Sequence, residues 1–144
     1  VTLYRRSGGL SRPFFSAIMA TEAITVRCSF HVLLCMQGRN LRERGDTMVC
    51  AFTGHRPEKL PWGSRETDPR CCALKIQLDR AVRAAWEAGA TTFACGLARG
   101  CDFYFAEAVL RLQEQAEGIS LEAWIPCPEQ PNRWKEPDQA RYRS

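Results

Sequence analysis

From Met48 onward the apolar positions of this chain alternate between short runs and long amphipathic stripes. Met48–Thr53, with Val49, Ala51 and Phe52, has the length and composition of a strand covered on both faces. Between Arg70 and Ala88 the apolar residues Leu74, Leu78, Val82, Ala85 and Trp86 recur at three and four. Lys75, Gln77, Asp79, Arg80, Arg83 and Glu87 take the other faces, so an amphipathic helix is predicted. Asp68-Pro69 supplies a cap and a first-turn proline at its start, and Gly89 supplies its stop. Thr91–Cys95 is the second predicted strand. A second helix, from Asp102 to about Glu117, turns Phe105, Ala106, Val109, Leu110 and Leu112 inward and is closed by Gly118. Leu121–Ile125 is the third strand, followed by a proline-rich loop through Trp134 and a helix start over Pro137–Tyr142.

Strand, helix, strand, helix, strand is the order of a parallel α/β sheet with right-handed crossovers. The loops after the three strands then share the carboxyl rim, where open α/β sheets bind ligands. The His55 loop, the Gly96–Asp102 turn and the Gln130–Trp134 loop are expected to meet there. The connection from Gly54 to about Asp68 is longer than the usual two to six residues and reads as functional. With no strand after Ile125, the sheet is expected to have three strands and two open edges, and the chain is read as stopping before its domain does. Residues 1–47 show neither period 2 nor period 3.6 for long. They are read as a largely disordered leader or non-native extension, with Met48 as the natural start. An Arg-rich targeting segment is the rival reading.

The densest chemistry lies in Phe93–Asp102, a strand end, a turn with two glycines and a helix start. Gly96 and Gly100 permit positive φ or close approach, and the leading amides of the helix favour an anion. That is the shape of a phosphate cradle; a plain strand-to-helix turn capped by Asp102 uses the same residues. Arg56, His55 and Arg99 are candidates for pairing with or donating to a phosphate. Trp134 either stacks on a base or packs on the domain edge, and Glu107 either faces the rim or holds a neighbouring loop.

Charge narrows the classes. The 144 residues carry a net charge of +4, all of it before Met48, where seven arginines face Glu22, Glu43 and Asp46. The remainder has 13 basic and 13 acidic residues, which argues against a duplex-DNA binder. The eight cysteines have no C-x-x-C spacing and only His31 and His55 for company, so no metal site is assigned. Without a convincing secretory signal, they read as reduced thiols of a cytoplasmic protein. Cys95 and Cys101, flanking the turn, read as core fillers or, if exposed, as redox sensors. No apolar run reaches membrane-span length.

Thr53-Gly54-His55-Arg56-Pro57, then Gly96-Leu97-Ala98-Arg99-Gly100-Cys101-Asp102 with Ala106-Glu107, Ile125-Pro126-Cys127 with Gln130 and Trp134, and Arg141-Tyr142 together resemble the YpsA-like branch of the SLOG superfamily. The resemblance covers Met48–Ser144. It implies a Rossmann-like three-layer parallel sheet, incomplete at the C-terminus because the downstream strands and a second glycine segment are lacking. It also implies binding or sensing of a nucleotide or derivative such as NAD or ADP-ribose, with links to bacterial cell division or stress. The ligand contacts it implies are Thr53, Gly54, His55, Arg56, Gly96, Ala98, Arg99, Gly100, Asp102, Gln130 and Trp134. Related phosphoribohydrolases carry a glutamate where this chain has Tyr104; Glu107 is the one weak catalytic candidate, and no catalytic residue is assigned. Hydrolysis of an N-glycosidic or phosphate bond is the enzymatic alternative. Single-stranded DNA binding, as in DprA-like relatives, is the other, disfavoured by the neutral charge after Met48. A protein partner and self-association through open sheet edges are further expectations; a membrane partner is not.

Overall fold

The computed structural model of the chain describes the backbone of residues 24–28 and 32–38 and, with side chains, residues 48–144. Its elements are β1 (Ile24–Cys28), β2 (Val32–Gly38), β3 (Met48–Thr53), α1 (Pro69–Glu87), β4 (Ala90–Cys95), α2 (Cys101–Gln113), β5 (Ser120–Ala123) and α3 (Glu136–Arg143). The strands form one sheet in the order β1-β2-β3-β4-β5. β3, β4 and β5 run parallel to one another, as the alternation of strands and helices predicts. The class is α/β and Rossmann-like.

The expectation of a three-stranded sheet is corrected by β1 and β2, which pair antiparallel with each other and, through β2, with β3. One predicted open edge is therefore covered. The run Val32-Leu33-Leu34-Cys35-Met36 is apolar without interruption, a pattern shared by buried strands and buried helix segments, so periodicity alone does not mark it as a strand. Most of the segment read as a leader lies outside the described residues.

The alternation of strand side chains puts Cys50 and Phe52 of β3, Phe93 and Cys95 of β4, and Leu121 and Ala123 of β5 on one buried face. The other face is only half buried at Val49, Ala51, Thr92, Ser120 and Glu122, so β3 is not covered equally on both sides. On the buried face Phe105 of α2 stacks on Phe52, with ring centroids 4.4 Å apart and planes 6° off parallel. It also meets Phe93 at 6.3 Å, tying α2 to two strands at once. α1 adds Leu74, Leu78, Val82 and Ala85, all buried. It begins as expected, with Asp68 capping the Arg70 amide at 2.9 Å and Pro69 at the first position.

The long connection after β3 has structure of its own. A 3-10 turn at Pro57–Lys59 is followed by successive turns closed by Gly63 to Leu60, Arg65 to Trp62 and Asp68 to Arg65 backbone bonds. Leu60 and Trp62 are buried against the core, so the segment is a packed loop.

Truncating Phe105 to Ala removes the ring held between Phe52 and Phe93 and is expected to cost about 3–5 kcal/mol. Small domains have roughly 5–15 kcal/mol in all. A loss of less than about 1 kcal/mol in urea titration would show that α2 is held to the sheet by something else.

Candidate functional site

The carboxyl rim of the parallel strands is organised by one side chain. Asp102, the second residue of α2, is 5% exposed, and its carboxylate reaches back to two loops. One oxygen accepts from the Gly54 amide after β3 and the other from the Ala98 amide after β4, each at 3.2 Å. The Gly96 amide acts on it in the same sense, and a Cβ at Gly96 would stand 3.2 Å from Oδ2. Asp102 is therefore not the N-cap. That position belongs to Gly100, which offers no side-chain cap, and the aspartate instead ties adjacent strand ends together. Burial pushes its carboxyl up to about 6, against the pull of the Ala98, Gly54 and Gly96 amides and the Arg56 charge.

The glycines of the turn serve approach between protein segments. Gly100 has φ +91°, and a Cβ there would meet the His55 carbonyl oxygen at 2.7 Å and Pro57 at 3.0 Å. The same carbonyl accepts from the Cys101 amide at 3.1 Å, so the start of α2 is already engaged by the first loop. At Gly54 a Cβ would fall 2.4 Å from Cβ of Cys101. Gly96 does not take positive φ; its neighbour Leu97 does, at φ 48°. A leucine in the left-handed region is the kind of outlier that clusters at working sites.

The three loops do meet. Nε2 of Gln130 donates to the carbonyls of Gly96 (2.8 Å) and Leu97 (3.1 Å). Trp134 packs edge to face against Phe103 (5.7 Å) and Tyr142 (5.5 Å), which is the domain-edge arrangement. Arg99 is divided between Glu58 and Asp138 and lies over the Trp134 ring at 6.0 Å. Glu107 pairs with Arg141 at 2.6 Å, and Arg141 also holds Glu66, which in turn binds Lys75 at 2.6 Å. Thr53 and Arg56 stand exposed at the lip with His55 half-buried between them, and Arg56 makes no ion pair among the described residues.

This combination of parallel strand ends, a glycine turn and a Thr-Gly-His-Arg-Pro lip covers the same stretch that the YpsA family model, described as the YspA SLOG family, matches, residues 50–144. The chain belongs to the SLOG family. No curated protein matches it significantly. SLOG domains generally bind nucleotide-derived ligands. In this SLOG domain Tyr104 is fully buried, with its hydroxyl against Cys71 and Trp62, and desolvation raises its pKa. Cys95 and Cys101 are buried as well, and burial pushes their thiols up to about 12 and about 11, which leaves both protonated and unsuited to redox sensing. Among the described residues no three His, Cys, Asp or Glu side chains are grouped to hold a metal, and no helix is long and apolar enough to cross a membrane.

Sequence reasoning passed over the Glu66–Arg141 clasp and the role of Leu97. Neither carries a local signal, since Glu66 and Arg141 are 75 residues apart and Leu97 is an ordinary residue in an unusual conformation.

Two measurements test this geometry. Because the folded carboxyl of Asp102 titrates near 6 and a free aspartate near 4, the native state binds the extra proton between those values. Stability should therefore rise as pH falls from about 6.5 to about 4.5, and this limb should be flat in Asp102→Asn. Glu66 and Asp68 are shifted the other way by their basic partners, so their contribution is lost only below that window. Thermal melts across pH read both. Separately, Gly100→Ala should cost about 1–3 kcal/mol more than Gly63→Ala. Both have positive φ, but a Cβ at Gly63 meets nothing within 4 Å. Equal losses in urea titrations would mean that His55 moves aside freely.

Proposed function

We propose that this SLOG domain is a cytoplasmic binding or sensing module for a nucleotide-derived ligand of the NAD or ADP-ribose kind. The ligand sits on the lip formed by Thr53–Arg56 and Gly96–Ala98. The observation that carries the reading is the Asp102 carboxylate bound to both the Gly54 and Ala98 amides, which fixes two adjacent loops at the end of parallel strands before any ligand arrives. Arg56 supplies an exposed cation for a phosphate, and the Thr53 hydroxyl a donor and acceptor for a sugar. Arg99 and Trp134 are committed to neighbours within the domain and act as supports of the lip. A binding role is favoured over hydrolysis because Glu107 is neutralised by Arg141. A protein partner reads the occupied state.

Isothermal calorimetry of the full chain against NAD, ADP-ribose and the common nucleotides tests this. Saturable binding is expected, weakened about 10- to 100-fold in Arg56→Ala by loss of a charge-assisted bond. Gly100 is a poor control site, because a side chain there disrupts the His55 loop whatever binds. A folded chain that binds none of these ligands would sink the reading.

A further inference from the structure

We infer that Asp102 itself fills the anion position of the glycine turn, so that the rim takes its ligand by an uncharged sugar or base and keeps phosphate out of the turn. A strand-turn-helix cradle binds phosphate through backbone amides that point into the turn and have no other acceptor. Here the amides of Gly54 and Ala98 each donate to an Asp102 oxygen at 3.2 Å, and the Gly96 amide faces the same carboxylate. The leading amide of α2, on Cys101, is given to the His55 carbonyl. Asp102 is buried by this arrangement and so takes the space as well as the donors. An arriving phosphate would find the donors occupied and a like charge among them. The exposed cation is at the outer lip, on Arg56, so the phosphate of a bound nucleotide lies there and its nucleoside part faces the turn. This orientation rests on the ligand-binding reading above; the occupancy of the turn by Asp102 does not.

The test is chemical rescue of the full chain. Asp102→Ala removes the carboxylate and leaves a space of its size, which formate fits. At pH 7.5 in chloride the variant should melt below the parent. In formate at equal ionic strength it should regain about 3 °C or more, the shift expected for a ligand that binds only the folded state. The parent and Asp102→Asn, whose side chains still fill the space, should melt alike in the two salts. Any stabilisation by millimolar inorganic phosphate beyond its ionic-strength effect should be lost in Arg56→Ala, because the turn itself offers phosphate no free donor. A variant that folds only in formate would be the same rescue in stronger form. The inference is overturned if formate leaves Asp102→Ala unchanged, if the variant folds in neither salt, or if inorganic phosphate still stabilises Arg56→Ala. None of these arms contains a nucleotide, so they succeed or fail independently of the calorimetry.

Discussion

The contact on which the rim depends is a buried carboxylate shared between two backbone amides on different loops. Asp102 receives the Gly54 and Ala98 amides, and the tight approach of the surrounding segments follows from it. With the two loops drawn onto the start of α2, Gly54 lies against Cβ of Cys101 and Gly100 against the His55 carbonyl, where no side chain fits. Burying a charge is costly unless it is paired or well hydrogen-bonded. The amides offset part of that cost but not all, which is why burial still leaves the carboxyl high, near 6.

Around this centre the structure uses two kinds of adhesive. The core is apolar, with Phe105 stacked between the strands and α1 closing the layer. The segment after β5 is held differently. α3 has no buried residue, and its grip comes from Arg141 on Glu66 and Glu107, Asp138 on Arg99, and the Trp134 ring against Phe103 and Tyr142. These ion pairs are about a quarter to a third exposed, where each contributes little and salt weakens it. Position in this segment is therefore set by several weak contacts acting together, while the sheet and its two long helices are set by burial.

Features with a local cause were legible in the sequence. α1 was, because Asp68-Pro69 and the three-four recurrence from Leu74 to Ala85 act within a few residues of each other. So were the parallel strands, the meeting of the three loops and the family. Features set by contacts distant in the chain were not. Asp102 has the residue type of a cap, but one of its oxygens is taken by Gly54, 48 residues earlier, a contact that no local pattern announces. β2 opens on an uninterrupted apolar run, Val32–Met36, and the loop containing Trp62 shows no period, although its tryptophan is buried in the core. Of the two uses open to Gly96, positive φ or close approach, the structure shows the second, and the positive φ next to it belongs to Leu97, which no propensity specifies.

The glycine pattern shows why a turn of this kind cannot be assigned a ligand from its glycines alone. Gly100 is needed here whether or not anything binds, since a Cβ there would run into the His55 carbonyl, and at Gly96 a Cβ would crowd the Asp102 carboxylate. In this chain the turn is filled by the residue two places after the second glycine. A short carboxylate there is long enough to reach the amides of its own turn and of the adjacent strand end, as Asp102 does. An apolar residue of the same size would leave those amides to solvent or to a ligand's anion. In this turn the backbone amides are therefore satisfied from inside by the Asp102 side chain, while the glycines allow the close approach of the segments around it.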